Sequence, residues 1–349
     1  REKRPFQGTY PWNGRDFLLF RRLRAAELPA GGLWGQSECL QSHCQRGTHL
    51  MEQQLFNNSH ILAWLQYFSD HTQVDLEKVK LLDITRKNKN LIPTVESHPA
   101  VLVFTEAGHA DIFYRMWDAG LGDCTVWYNE GSDPSGPIKH DLLRDMIDRG
   151  INASAGMLVL NPNARSTYKV GMRNSSFSRG SIHYVGSEIR TVLLNKMHLS
   201  VGDTVCVVSG ESIAVESAIL AGEGTVIAVE YNQQDRQTME ENAHKFGLNN
   251  IAIIDHVDDA SLSGLPVPTL TFLVASASLE QELQCLLRRN PHMEFVIYTL
   301  DFRCAASLPA LFEQYGIGET EVIQIAVSKL GGKNTFTQEP APWVISGRA

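Results

Sequence analysis

Residues 199–259 read LSVGDTVCVVSGESIAVESAILAGEGTVIAVEYNQQDRQTMEENAHKFGLNNIAIIDHVDD, and this stretch decides the fold. Thr204 to Val208 is an apolar, β-rich run. A turn of Ser209 and Gly210 follows, then a helical pattern carried by Ile213, Val215, Ala218, Ile219 and Leu220. A second apolar run, Thr225 to Val229, ends at an acid, Glu230; a third, Ile251 to Ile254, ends at Asp255. Strands alternating with helices of this length form a parallel sheet with right-handed crossovers. Ligands of such sheets bind outside the carboxyl ends of the strands. The first turn and the acid closing the second run are therefore the first places to look for chemistry.

Toward the C-terminus the alternation continues. Leu270 to Ala275 reads as a strand, Leu279 to Arg289 as a helix, Phe295 to Leu300 as a strand and Ser307 to Tyr315 as a helix. Glu321 to Val327 and Trp343 to Ser346 follow, with a polar loop and no helical pattern between them. They read as an antiparallel hairpin closing an otherwise parallel sheet. The fold class is α/β, and by analogy the arrangement is that of a Rossmann-like class I S-adenosylmethionine-dependent methyltransferase. Methyl transfer from a sulfonium needs alignment and a dry site more than acid–base help. The cofactor needs three holds. Small residues at the first turn let backbone N–H groups approach its amino-acid end, and Ser209 and Gly210 are the candidates. An acid ending the second strand takes the ribose hydroxyls; here it is Glu230, twenty residues after Gly210. Asp258, with Asp255 as its rival, is the candidate near the adenine. The plainer readings are a tight turn at Gly210 and a solvated strand-end acid at Glu230.

Toward the N-terminus, residues 57–163 read as a small α/β unit. Ile61 to Phe68 is helical in pattern; Val79 to Ile84, Ala100 to Phe104, Thr125 to Tyr128 and Ala155 to Leu160 are strands; Ala110 to Ala119 and Leu142 to Asp148 are helices. Residues 164–186 form a polar, Gly/Ser-rich linker or lid bearing Arg165, Lys169, Arg173, Arg179 and His183. Several flexible cations suit a substrate with several carboxylates. Residues 1–56 remain unassigned. They hold a basic helical pattern at 16–28, read as a solvated face, and a group of Cys39, His43, Cys44 and His49 without the spacing of zinc ribbons or fingers. The methyltransferase-like domain proper occupies 187–349.

Composition limits the partners. Of 349 residues 43% are hydrophobic and 20% charged, which suits a globular chain. A net charge of −8 argues against general nucleic-acid binding, and no apolar run approaches a membrane span. The six cysteines include no C-x-x-C pair and fit reduced thiols of a cytoplasmic protein.

Particular motifs carry a family resemblance over roughly residues 120–349. GLGDCTVWYNEGSDP resembles the end of a tetrapyrrole-methylase module. MRNSSFSRG and GSEIRTVLLNKMHLSVGD, which holds Arg190, resemble the entry into a second module. EGTVIAVEYN and IAVSKLGGKNTFTQEPAPWVISGR resemble that module's second strand and closing hairpin. Together they resemble the bifunctional precorrin-6Y C5,15-methyltransferases (decarboxylating) of cobalamin biosynthesis. The resemblance implies a truncated tetrapyrrole-methylase-like domain ahead of a methyltransferase domain, S-adenosylmethionine as cofactor, and a corrinoid precursor as substrate. It implies methylation at C15 with loss of an acetate carboxylate, the conjugated ring serving as electron sink. It also implies a homo-oligomer, commonly a tetramer, and substrate carboxylates met by Arg173, Arg179, His183 and Arg190. The departures lie at the first turn, where Val207 to Ser212 is about two residues shorter than the family's glycine-rich loop and adds Glu211, and at Leu273 to Ser278, which has no glycine. They leave a second reading open, a lapsed homologue that binds a ligand or partner.

Overall fold

A computed structural model describes residues 59–349 except 86–88, 107–110, 151–154, 166–169, 182–184 and 333–334. The basic helical pattern at 16–28, the Cys39/His43/Cys44/His49 group and His183 lie outside the described residues.

The C-terminal sheet follows from the apolar runs. Its strands are β6 (Thr204–Val208), β7 (Thr225–Val229), β8 (Ile251–Ile254), β9 (Leu270–Val274), β10 (Glu294–Thr299), β11 (Gly318–Gln324) and β14 (Trp343–Arg348). They lie in the order β11-β14-β10-β9-β6-β7-β8. The five strands β6 to β10 are parallel, and β14 is inserted antiparallel between β10 and β11. Continuous apolar strands are needed because helices cover both faces. On one face α5 (Glu211–Leu220) and α6 (Gln233–Lys245) pack with α4 (Ser187–Lys196), around Val207, Ile213, Val226 and Phe272. On the other, α7 (Leu279–Arg289) and α8 (Phe302–Gln314) pack around Cys206, Val208, Leu283, Phe295 and Phe312. Strand order reverses between β6 and β9, since one crossover runs outward to β7 and β8 and the next returns to the other side of β6. The loop before β14 also carries a small hairpin, β12 (Ser328–Leu330) with β13 (Phe336–Gln338), where the sequence reads as a polar loop.

The preceding unit is a mixed five-stranded sheet ordered β1-β2-β5-β3-β4, from β1 (Val79–Asp83), β2 (Ala100–Thr105), β3 (Thr125–Tyr128), β4 (Lys139–Leu142) and β5 (Ala155–Leu160). The helix read at Leu142 to Asp148 is instead the end of β4 and one 3₁₀ turn, Leu143–Asp145. Pairing of β4 with β3 outweighs the local pattern. Helix α1 (59–71) buries Trp64 and Phe68 against one face, and Gly156 has no room for a Cβ because Trp64 lies within 2.6 Å of where it would sit. The short α2 (Leu91–Ser97) escapes a reading by periodicity. It joins the two sheets: Asn90, just ahead of it, donates from Nδ2 to Ala218 O at 2.9 Å and accepts from Asn249 N at 2.9 Å. Residues Asn58–Ala349 form one compact unit.

Candidate active site

The carboxyl edge of β6, β7 and β9 is the place to look, and the first turn there is tight. Ser209 takes φ 55°, a left-handed conformation that a non-glycine residue adopts at some cost. Its N–H is used within the sheet, donating to Val229 O at 3.0 Å. Gly210 then begins α5, its carbonyl accepting from Ile213 N and Ala214 N, both at 2.8 Å. A Cβ on Gly210 would lie 2.8 Å from Val207 Cγ1 and 3.0 Å from Phe272 Cε1. The glycine is thus required by packing against Phe272 of β9. The first turn of α5 that follows is buried, and the N–H groups of Glu211 and Ser212 there have no intrahelical acceptors.

Glu211 opens α5 directly after the turn. Its side chain is buried between α5 and α6, where Asn242 Nδ2 donates to it. Burial, then the charge of Asp235, pushes its carboxyl up to about 7.

Glu230 ends β7 and is the informative residue. It is 1% exposed, and nothing among the described residues hydrogen-bonds either carboxylate oxygen. Its backbone is fixed by Arg236 Nη1, which donates to Glu230 O at 2.9 Å. Desolvation, followed by the negative charges of Asp235 and Glu211, pushes its carboxyl up to about 8. A buried acid with two unpartnered oxygens costs stability unless a donor meets it.

Asp258 is exposed and bonds within its own turn, accepting from Ser261 N at 2.7 Å. Its rival Asp255 is also exposed and lies 3.3 Å from His256 Nδ1. Both carboxyls are held below the usual range, Asp258 by the Ser261 backbone and Asp255 by His256.

The polar segment ahead of α4 is docked, not loose. Gly171 N and Met172 N donate to Glu216 Oε2 and Oε1 at 2.6 and 3.0 Å. Ser178 N donates to Asn242 Oδ1 at 2.7 Å, and Ser181 N to Asp235 Oδ1 at 2.6 Å. Residues 170–181 therefore form a strap over α5 and α6. Arg173 and Arg179 stand exposed on it. Arg190 is a correction to the expected cation set. It has no exposed surface, and it donates to Glu216, Asn174, Val185 O, Ser212 and Met172 O while stacking over Phe177. All three of its nitrogens are engaged inside the protein and the side chain has no exposed surface, so Arg190 positions the strap. Its sequence signal, a cation within an apolar helix pattern, fits a buried ion pair as well as a ligand site.

Sequence reasoning did not single out Tyr231 and Glu282. The Tyr231 hydroxyl donates to Glu282 Oε1, and Glu282 is 3% exposed with Oε2 unpartnered among the described residues. Only the fold brings them together, since 51 residues separate them in the chain. The described cysteines are free thiols. Among the described residues no group of His, Cys, Asp and Glu could hold a metal ion, and no helix is long and apolar enough to cross a membrane. A separate cavity of about 700 Å³ lies in the five-stranded unit, beside Tyr128, Asn129, Asp141 and Arg149.

A search of curated proteins returns no match. Among solved structures, a precorrin-6Y C5,15-methyltransferase from Geobacter metallireducens is 22% identical, covering 51% of this chain and 96% of its own, with a TM-score of 0.48. A precorrin 8w decarboxylase from Methanobacterium thermoautotrophicum is 16% identical over 50% of this chain and 98% of its own, with a TM-score of 0.44. The C-terminal domain of precorrin-6Y C5,15-methyltransferase from Rhodobacter capsulatus is 22% identical over 52% of this chain and 98% of its own, with a TM-score of 0.42. The family model described as precorrin methyltransferase domain matches residues 184–345.

Proposed function

We propose that this domain binds S-adenosylmethionine and methylates a corrin-ring precursor at C15, with decarboxylation of an acetate side chain. The observation that carries the reading is Glu230. Two enclosed acceptor oxygens at the end of the second strand suit the two donors of a ribose diol, and the residues present therefore fit the cofactor. When bound, the cofactor supplies an electrophilic methyl group. The chain's part is to hold and exclude. Glu230 anchors the sugar, the first turn of α5 after Ser209 and Gly210 faces the amino-acid end, and Asp258 lies toward the base. Arg173 and Arg179 meet substrate carboxylates from the strap, joined by His183. The five-stranded unit, residues 57–163, is a shortened tetrapyrrole-methylase-like domain with a supporting role. The protein is cytoplasmic and assembles as a homo-oligomer, a tetramer by family resemblance.

A second reading is a lapsed methyltransferase that retains the fold as a binding or structural protein. The direct entry of β6 into α5 favours it, because the Ser209 N–H is spent on Val229 O. Calorimetry with S-adenosylmethionine and S-adenosylhomocysteine separates the two. Saturable heat that disappears in Glu230→Gln supports the enzyme. No heat at millimolar ligand rejects it.

A further inference from the structure

Glu230 has a counterpart on the opposite side of the same edge. Tyr231 immediately follows Glu230 at the end of β7, and Glu282 lies in α7, which follows β9. In the sheet β6 stands between those two strands. The Tyr231–Glu282 hydrogen bond therefore ties the end of β7 to the start of α7, elements that follow the two strands flanking β6. This is where the Ser209 turn opens α5 and where the strand order reverses, the position at which such sheets take their ligands. The far side of the edge is the loop Ala275 to Ser278, where the Ser276 hydroxyl acts on the Glu282 carboxyl.

Both acids are more than nine-tenths buried, and three of their four carboxylate oxygens have no partner among the described residues: both of Glu230 and Oε2 of Glu282. Glu282 is not needed to cap its own helix. It lies in the first turn of α7, but Tyr231 from another element holds its Oε1. Tyr231 is 38% exposed, its ring T-shaped against His256 with centroids 5.7 Å apart. An acid with a spare buried oxygen is kept there at a cost.

We propose that Glu282 is a second acidic holding residue of the cofactor cleft, its free oxygen accepting from an N–H donor of an adenosyl amino-acid ligand while Tyr231 keeps the carboxyl aimed at the cleft. The assignment rests on the cofactor reading above. The donor is the exocyclic amine of the base or the ammonium of the amino-acid end. Both are N–H groups that a carboxylate receives more strongly than a neutral acceptor does.

Three forms of the chain spanning residues 1–349 test this by calorimetry: unaltered, Glu282→Gln and Tyr231→Phe, each with S-adenosylmethionine and with adenosine. Glu282→Gln keeps an acceptor for Tyr231 and replaces the free oxygen by a donor that opposes the ligand's own. We expect it to weaken S-adenosylmethionine binding about tenfold or more, with a thermal midpoint no lower than that of the unaltered chain. Tyr231→Phe should bind within about threefold of the unaltered chain, because the ligand contact survives. The same loss with adenosine assigns the exocyclic amine; a loss confined to S-adenosylmethionine assigns the ammonium. Unchanged binding in Glu282→Gln overturns the assignment and leaves the cofactor reading standing. Equal losses in the two variants also overturn it, since Glu282 would then only hold the tyrosine. No binding by the unaltered chain overturns both.

Discussion

Arg190 Nε donates to Glu216 Oε1 at 2.7 Å, and neither side chain has any exposed surface. The pair is also the anchor of the strap: Glu216 receives the N–H groups of Gly171 and Met172, and Arg190 reaches Met172 O and Val185 O. Removing one partner leaves a buried charge uncompensated, which costs about 3–5 kcal/mol. Arg190→Ala is expected to lower stability by that amount in urea denaturation. It should also expose residues 170–181 to limited proteolysis, while the exposed Arg173→Ala changes neither.

The raised carboxyls make stability fall with pH. Glu230 keeps its proton to about 8 in the folded chain, against a usual value of 4.5. The native state therefore binds more protons than the unfolded state between those values, and stability is lost as pH rises through that window. The loss is on the order of 5 kcal/mol at most, and Glu211, raised to about 7, acts in the same direction. Thermal melting from pH 5.5 to 8.5 should show a falling midpoint. Glu230→Gln should flatten the slope and melt higher at pH 8.5; a slope unchanged by that substitution would contradict the assignment.

At the first turn, shape decides. Gly210→Ala drives a methyl group against Val207 and Phe272 at 2.8 and 3.0 Å. Overpacking of this kind costs about 1–3 kcal/mol. Because Phe272 is buried in the strand beneath the site, cofactor affinity should fall together with stability. Trimming the obstruction in Gly210→Ala/Phe272→Leu should recover part of the stability, measured by the same denaturation.

The two sheets are coupled through Asn90. It is 3% exposed and bonds Ala218 O and Asn249 N, one on α5 and one just before β8. Asn90→Ala removes both bonds while Ala218 O keeps Asn250 Nδ2 as a donor at 3.0 Å, and is expected to cost about 1 kcal/mol. Calorimetric unfolding of the unaltered chain should give one transition for both sheets, and the variant should broaden or split it. Two well-separated transitions already present in the unaltered chain would rule out this coupling.

Much of the fold was legible in the residues. The apolar runs at 204–208, 225–229, 251–254 and 270–274 each became a parallel strand of the C-terminal sheet, because period and length of apolar runs are local properties. Where local pattern and pairing conflicted, pairing prevailed: Leu142 to Asp148 reads as helix but joins β4 and a short turn. Helix α2 was missed, being seven residues long with Pro93 in its first turn.

The site divides along the same line. The sequence by itself determined the alternation of strands and helices, the twenty-residue step from Gly210 to Glu230, and the placing of that acid at a strand's carboxyl end. Only the tertiary structure decided which polar groups have partners. It turned Glu211 toward Asn242, buried Arg190 on Glu216, and brought Tyr231 to Glu282 across β6. Periodicity is written in neighbouring residues, whereas burial and hydrogen-bond satisfaction depend on groups tens of residues away. A charged residue therefore cannot be assigned to ligand or to core until its surroundings have folded around it.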